Sequence, residues 1–354
     1  MRLHEILTAA FEQGASDTHI IAGMPPLLRI HTELRRLEQF GTVTPEQADQ
    51  LARDMLSGTR YERLQARRDL DFSHELPDMG RFRVNAHYQR NTIAIAFRAI
   101  PSKVPSLAEL NMPSITESFV DLPRGLVLIT GPTGSGKSTT LASMIAAMNE
   151  RHKHHVITLE DPVEYELRSN MCIIEQREVG NDVTDFASGL KHALRQDPDI
   201  ILVGEMRDLE TTSAAITAAE TGHLVLSSLH TQSAFQTVER IIDIYPPDQQ
   251  NQIRAMLSTT LQAVVTMSLF KRCDQPGMIP ACEIMICNAA VRNCIRENRV
   301  HEIPNVIATN RQAGMCLFDE SLKNLVAGGW VSRDQALSRA TRPESLARGL
   351  EVRI

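Results

Sequence analysis

Short apolar runs separated by polar turns fill the first hundred residues of the chain. Four of them predict strands, at 19–23, 26–31, 81–88 and 92–100. Residues 44–56 have apolar positions at helical spacing behind a capping Thr44 and a Pro45 at the first helical position, which predicts a helix. Residues 1–13 carry charges within their apolar pattern, so they predict an amphipathic helix rather than a signal peptide. We therefore expect a small α+β domain over residues 1–100.

Apolar runs of a different kind follow in residues 114–287. Four of them alternate with helical stretches, at 126–130, 155–160, 200–204 and 224–229. Because these runs are apolar on both faces, they predict parallel strands covered by helices on each side, and hence an α/β fold. Three prolines within residues 101–113 predict a linker. Helical patterns alone occupy residues 288–354, which we treat as a C-terminal helical region.

Composition narrows the class of protein. The 354 residues are 42% hydrophobic and 23% charged, with a net charge of -6. This predicts a globular protein and speaks against one that binds nucleic acid through bulk basic charge. No stretch approaches the ~18 apolar residues of a membrane span, so membrane contact is expected only through a partner. The six cysteines form no C-x-x-C pair, which favours reduced thiols in a cytoplasmic protein.

The strongest chemical signal follows the apolar run at 126–130. Gly131, Gly136, Lys137 and Ser138 fit the pattern G-x-x-x-x-G-K-[ST], with a helical pattern after it. Glycines let successive backbone N–H groups turn towards phosphate oxygens, and the following helix adds its positive end. We expect Lys137 to contact the β- and γ-phosphates of ATP and Ser138 to bind Mg²⁺. The residues expected to contact the nucleotide are Gly131, Pro132, Thr133, Gly134, Ser135, Gly136, Lys137, Ser138 and Thr139.

Two acidic stretches follow predicted strands. Ligands collect at the carboxyl ends of parallel strands, so Glu205, directly after 200–204, is expected near the γ-phosphate, where it would hold Mg²⁺ partly through water. The other stretch holds Glu160, Asp161, Glu164 and Glu166. There, Pro162 would end the strand and direct Glu164 towards the site, so we favour Glu164 as the base that orients water. Glu205 remains the competing candidate for that role, and a solvated acidic loop is the alternative for the whole stretch.

Two histidines, His223 and His230, flank the apolar run at 224–229. Extended chain between them would span roughly 23 Å, so a single metal ion could not bind both. His230 follows the carboxyl end of the predicted strand, where the phosphates are expected. We therefore assign it to the γ-phosphate or the attacking water as a hydrogen-bond donor. His223 precedes the strand, where a structural or interdomain contact is expected.

Four stretches resemble, in chain order, the motifs of the secretion-superfamily ATPases, namely GPTGSGKS, ITLEDPVE, DPDIILVGEMRD and TAAETGHLVLSSLHT. Members of that superfamily drive type II secretion, type IV pilus assembly and pilus retraction. The resemblance covers essentially the whole chain. Residues 289–300 are similar to a C-terminal motif of the retraction branch, with Val291 and Cys294 in place of isoleucine and leucine. The four-cysteine zinc insert usual in the assembly and export branch is missing, so the retraction branch is the nearer match.

The resemblance implies a homohexameric ring whose subunits have a PAS-like N-terminal domain and a RecA-like ATPase core that uses ATP and Mg²⁺. It also implies that arginines of the N-terminal domain reach the phosphates. Arg81 and Arg83 match those positions, and Arg98 is a further candidate, although two arginines at this spacing also fit one polar strand face. The partners implied are an inner-membrane pilus platform protein and, as a second candidate, a paralogous retraction ATPase. The implied location is cytoplasmic, at the inner membrane through the platform.

The function expected from the resemblance is pilus retraction powered by ATP hydrolysis, with each subunit opening and closing about the linker at 101–113. An assembly or export ATPase of a related secretion system, a RecA-like DNA translocase and a nucleotide-binding module without hydrolysis are the alternatives. A translocase should carry a basic or aromatic strand-binding face, which 4% aromatic residues do not favour.

On the helix predicted at 289–300, Ala290, Val291, Cys294 and Ile295 share one apolar face, so packing against the core is the simplest expectation.

Overall fold

The structure, a computed structural model, describes residues 3–30, 33–76, 79–100 and 103–351. Parts of the predicted elements lie outside the described residues, namely Met1, Arg2, His31, Pro101, Ser102 and residues 352–354. The chain divides into two compact units. The first comprises Met1–Lys103 with Pro162–Glu166, and the second comprises Val104–Asp161 with Leu167–Ile354.

The first unit is built on a six-stranded sheet in which every pairing is antiparallel. Its strands are β1 (Asp17–Ile21), β2 (Leu27–Ile30), β3 (Glu33–Arg36), β4 (Asp69–Leu76), β5 (Gly80–Gln89) and β6 (Thr92–Ala99). Its helices are α1 (Leu3–Glu12), α2 (Pro45–Met55) and α3 (Gly58–Arg67). The strand order is β3-β2-β1-β6-β5-β4. Helix α2 begins as predicted, because Thr44 and Gln47 form a capping box around Pro45.

Three elements of the first unit were not predicted, namely β3, β4 and α3. All four residues of β3 are exposed, so this edge strand has no apolar pattern to reveal it. Strand β5 shows the alternation that made it predictable. Its residues Phe82 and Val84 are buried in the core of the unit, while Arg81 and Arg83 lie half-buried on the opposite face.

The second unit is built on a seven-stranded sheet with the order β13-β12-β7-β11-β10-β8-β9. Its strands are β7 (Gly125–Thr130), β8 (His155–Glu160), β9 (Ile173–Glu178), β10 (Ile200–Val203), β11 (Leu224–Leu229), β12 (Leu261–Lys271) and β13 (Met278–Ile286). The four predicted strands agree with β7, β8, β10 and β11 to within one residue and are mutually parallel, which confirms the α/β fold. The prediction of a purely parallel sheet was incomplete, because β13 pairs with β12 in the antiparallel direction.

The helices of the second unit lie on both faces of this sheet. They are α4 (Lys137–Arg151), α5 (Phe186–Ala193), α6 (Leu209–Glu220), α7 (Ala234–Asp243), α8 (Gln250–Thr260), α9 (Ala289–Arg296), α10 (Ile303–Thr309), α11 (Phe318–Ala327), α12 (Arg333–Arg339) and α13 (Pro343–Glu351). On one face, Val127 of β7 packs with Met144 of α4. On the other face, Leu128 shares a cluster with Ile216 of α6 and Ile241 of α7. Adjacent residues of a strand point to opposite faces, which explains why these strands are apolar throughout.

The chain segments that precede and follow residues 114–287 also pack against this sheet. Leu107 and Met112, from the predicted linker, are buried in the cluster that contains Val127. In α9, Val291 and Cys294 are buried in the core with Ile295, as predicted. Ala290 was wrongly assigned to that buried face, since it is exposed in the first turn of the helix.

Two predictions about the chain as a whole can be compared with the described residues. The six cysteines are free thiols. None of the helices in the described ranges combines the length and the apolar character needed to cross a membrane.

Candidate nucleotide site

The loop between β7 and α4 follows a path that requires glycine. The φ angles are 141° at Gly131, 77° at Gly134 and 95° at Gly136, a region that glycine adopts without steric cost. A Cβ atom on Gly131 would also lie 2.2 Å from the carbonyl oxygen of Met267 on β12. The glycines of the predicted phosphate loop therefore satisfy both the local conformation and the close approach of a neighbouring strand.

The same loop offers polar groups to an anion. Gly136 caps α4, so the first N–H groups of that helix face the loop. Ser135 is only 2% exposed, and its Oγ has no hydrogen-bond partner among the described residues. Ser138, in the first turn of α4, is exposed. A buried hydroxyl group without a partner beside a helix N-terminus fits a phosphate ligand.

Lys137, His230 and Glu205 form one line of hydrogen bonds. Lys137 Nζ donates to the carbonyl oxygens of Gly131 and Pro132, both at 3.0 Å, and lies 3.4 Å from His230 Nδ1. His230 Nε2 lies 3.1 Å from Glu205 Oε1. An ammonium group can only donate, so Nδ1 accepts and the hydrogen of the neutral imidazole is on Nε2, which donates to Glu205. His230 thus bridges the lysine of the phosphate loop and the carboxylate that follows β10.

Arg207 pairs with Glu205 and was missed by the sequence analysis. Its Nη2 lies 2.6 Å from Glu205 Oε2. Burial acts to raise the pKa of Glu205, but the hydrogen bond from Arg207 and the proximity of His230 outweigh it and lower that pKa below its ordinary value. The bond to Glu205 raises the pKa of Arg207, and Asp161 contributes to the same rise. Glu205 is therefore an ionised carboxylate, and the signal for its partner was an arginine two residues further along the chain.

Strand pairing fixes the relative positions of Glu205 and His230. Strands β10 and β11 are parallel neighbours, and both residues follow the carboxyl ends of their strands. Ser228 Oγ donates to the carbonyl oxygen of Gly204 at 2.7 Å. This bond joins the residue before Glu205 to the end of β11. The two side chains therefore meet because their strands are locked together immediately before them.

His223 makes contacts of a different kind. Its Nδ1 lies 2.9 Å from the carbonyl oxygen of Ala218 and 3.2 Å from Thr221 Oγ1. A carbonyl group only accepts, so Nδ1–H donates to the end of α6. These contacts give His223 the structural role expected from the sequence.

Three predicted catalytic residues belong to the first unit. Glu164 is half-buried and lies within Pro162–Glu166. Arg81 Nη2 donates to Ser73 Oγ at 2.7 Å, and Arg83 lies on the same face of β5. The third candidate arginine, Arg98, pairs with Asp17 at 2.8 Å. The site within the second unit thus contains Lys137, His230 and Glu205 but not these residues, whose roles remain predictions.

A match to a known family covers most of the chain. Residues 1–316 match the sequence profile of the family described as type II/IV secretion system protein. The chain belongs to that family. The prediction of a secretion-superfamily ATPase is therefore confirmed.

Individual relatives of this secretion-family protein are similar over nearly their whole length. The type IV pilus retractation ATPase PilT of Pseudomonas aeruginosa is 45% identical over 345 residues, which cover 98% of this chain and 100% of that protein. A twitching motility protein of Neisseria gonorrhoeae is 44% identical over 335 residues, 95% of this chain and 89% of that protein. The crystal structure of the pilus retraction motor PilT with bound ADP superposes with a TM-score of 0.93 at 40% identity, covering 98% of this chain and 99% of the other.

Proposed function

We propose that this protein is a hexameric ATPase motor that powers type IV pilus retraction. The observation that carries the proposal is the line from Lys137 through His230 to Glu205 beside the phosphate loop. A cation, an imidazole and a carboxylate beside the phosphate loop are the groups that the γ-phosphate of ATP would need, which supports the proposal. Similarity to PilT over 98% of the chain supports the cellular role.

The proposed domain assignment follows the two sheets. The antiparallel sheet with its helices supports a PAS-like domain over residues 1–100. The mostly parallel sheet with a phosphate loop after its β7 strand supports a RecA-like core over residues 114–287. Residues 101–113 are the proposed linker and hinge, and residues 288–354 the proposed C-terminal helical region.

ATP is the proposed substrate, held by the loop from Gly131 to Thr139. In the described ranges no group of three or more His, Cys, Asp or Glu residues could hold a metal ion by itself. This suits Mg²⁺, which takes few protein ligands and relies on phosphates and water for the rest. Ser138 directly, and Glu205 partly through water, would hold the ion, which would offset the charge of the phosphates.

The lowered pKa of Glu205 bears on the choice of base. Its two oxygens already accept from His230 and Arg207, so it is a weaker proton acceptor than an unpaired carboxylate. This favours Glu164 as the group that orients water, with Glu205 holding His230 and the metal-bound water. His230 would respond to the γ-phosphate, because a phosphate that takes the hydrogen bonds of Lys137 removes the donor to its Nδ1.

Arg81 and Arg83 are proposed to supply positive charge to the phosphates when a subunit closes. The phosphates would be those bound to the same subunit or to a neighbouring one. Such charge stabilises phosphoryl transfer and makes hydrolysis depend on closure. Their half-buried position on the polar face of β5 supports this role. Cycles of closing and opening around a ring would then turn a central partner. That partner is proposed to be the inner-membrane pilus platform, at which the protein would lie on the cytoplasmic side together with a paralogous retraction ATPase.

The test is a deletion strain carrying either the wild-type gene or its Lys137→Ala variant. We expect the deletion strain to have many surface pili but no twitching, and the wild-type gene alone to restore movement. Loss of surface pili in the deletion strain would instead indicate an assembly or export ATPase. Hydrolysis by the purified protein that rises only when single-stranded DNA is added would favour a translocase.

A further inference from the structure

A buried glutamate outside the proposed site holds the start of two helices. Glu283 lies on β13 and is 7% exposed. Its Oε1 accepts the backbone N–H of Ala234 at 2.7 Å, and the backbone N–H of Phe318 lies near enough to interact with its carboxylate. Ala234 is the first residue of α7 and Phe318 the first of α11. One carboxylate therefore joins two helix N-termini that are far apart in the chain.

The position of Glu283 in the sheet relates it to the phosphate loop. Glu283 pairs with Thr266 on β12, Thr266 with Thr130 on β7, and Thr130 with Leu229 on β11. The hydroxyl groups of Thr130 and Thr266 lie 2.8 Å apart and are buried. Residues directly opposite one another in a sheet point to the same face. Buried polar side chains thus form a row across β13, β12 and β7, which continues to Leu229 of β11, at the level where β7 enters the phosphate loop and β11 enters the histidine loop.

The histidine loop, residues 230–233, is short and fixed at both ends. Strand β11 ends at Leu229, and α7 begins at Ala234. Ser233 caps α7 by accepting the N–H of Gln236, and the bond from the N–H of Ala234 to Glu283 ties the helix start to β13. Displacement of Ala234 would move the loop and with it the imidazole of His230.

We propose that Glu283 is a positioning residue, whose carboxylate sets the place of His230 relative to Lys137 and Glu205 and ties the histidine loop to α11. This inference rests on the ATPase function proposed above. His230 is proposed to respond to the γ-phosphate, and the contact of Glu283 with Phe318 would carry that response to the C-terminal helices. The opposing possibility is that Glu283 only caps two helices and contributes to stability alone.

Asp319 provides a matched control for that possibility. Its carboxylate likewise accepts two backbone N–H groups, from Thr341 at 2.7 Å and Arg342 at 2.8 Å. It lies on α11, next to Phe318, but its bonds reach the start of α13 and not the histidine loop. Asp319→Asn therefore removes a carboxylate cap of the same kind on the same helix and leaves the contacts of His230 in place.

The first measurement is steady-state ATP hydrolysis by Glu283→Gln and Asp319→Asn, with thermal stability recorded in parallel. Glutamine lacks the negative charge and replaces one acceptor oxygen with an NH₂ group that can only donate, so the interaction with the two N–H groups is weakened. We expect Glu283→Gln to lower kcat about tenfold to a hundredfold, the range caused by a ~1 Å displacement at a reacting group, with a much smaller change in KM. Asp319→Asn should leave kcat within about twofold of the wild type, because its loss is one of stability alone.

The second measurement is hydrogen–deuterium exchange of the full-length protein with and without AMP-PNP and Mg²⁺. In Glu283→Gln, peptides that cover 230–237 and 318–327 should lose protection together, and the nucleotide-dependent change at 318–327 should vanish. Asp319→Asn should retain that change. Should Glu283→Gln not fold, Glu283→Asp tests the same point, because its shorter side chain cannot reach both donors.

The outcomes separate this inference from the function on which it rests. A wild-type protein that neither binds AMP-PNP nor hydrolyses ATP would overturn the proposed function. In that case, loss of protection at 230–237 in Glu283→Gln without nucleotide would still support the link through Glu283. Wild-type hydrolysis with equal kcat in both variants, or exchange at 230–237 unchanged by Glu283→Gln, would overturn the inference.

Discussion

Strand β11 has a histidine beside each end, and the two ends differ in what surrounds them. At the carboxyl end, His230 lies between the ammonium group of Lys137 and the carboxylate of Glu205. At the other end, His223 meets the carbonyl group of Ala218 and a threonine hydroxyl. The residue type is the same, but one imidazole contacts charged, chemically active groups and the other completes the hydrogen bonding of a helix end.

The difference follows from the direction of the strands. In a parallel sheet all carboxyl ends lie at one edge, so the residues after β7, β10 and β11 meet there. The amino ends meet at the opposite edge, where helices return to the sheet and their last carbonyl groups need donors. Position relative to strand direction therefore separates a candidate catalytic histidine from a structural one, and the following predictions test that separation.

The largest effect is expected at Lys137. We predict that Lys137→Ala lowers ATP turnover by about 10²–10³-fold, because it removes the charge that would meet the phosphates and the donor to His230. The measurement is phosphate release by the purified protein. Lys191→Ala, at an exposed lysine of α5, is the matched control. A similar loss of ATP turnover in both variants would contradict a specific role for Lys137 in the phosphate loop.

A smaller but still large effect is expected at Glu205. Glu205→Gln keeps the size of the side chain but removes the charge that pairs with Arg207, so kcat should fall by about 10²-fold, within the range of a group that acts on proton transfer or metal-bound water. Glu164→Gln, assayed in parallel, distinguishes the two acids. If Glu164 is the base, its variant should be the more impaired. Near-normal turnover in both variants would contradict the assignment of either acid.

Stability should depend on pH through Glu205. Its pKa in the folded protein lies below the ordinary value of 4.5, so the ionised carboxylate adds stability that is fully present above that value and lost as the pH falls through the folded pKa. The difference in melting temperature between the wild type and Glu205→Gln should therefore be largest near neutral pH and shrink below pH 4.5. Glu220→Gln, at an exposed residue with no ion pair to the described residues, serves as the control. A difference that persists in acid would show that the ion pair with Arg207 is not its source.

Much of the carboxyl edge could be predicted because its signals are local. Lys137 stands in a motif of fixed spacing, and Glu205 and His230 each follow an apolar run. Arg207 was missed although its partner Glu205 is only two residues away, because the spacing alone does not show that the two side chains meet. Glu283 was missed because its partner is distant in the chain. For example, the bond from Ala234 to Glu283 joins residues 49 positions apart. Strands β12 and β13 were also not predicted. Their antiparallel pairing could not be read from the sequence, since an apolar run does not reveal which other run it pairs with.

The most direct test of the account compares His230→Ala with His223→Ala in the same ATPase assay. We predict that His230→Ala lowers kcat about tenfold to a hundredfold, because it breaks the line between Lys137 and Glu205. His223→Ala should change kcat by less than about twofold and cost about 1 kcal/mol of stability, the usual contribution of one hydrogen bond. Equal turnover in the two variants, or a larger loss from His223→Ala, would contradict the claim that the carboxyl end of β11 is where ATP is hydrolysed.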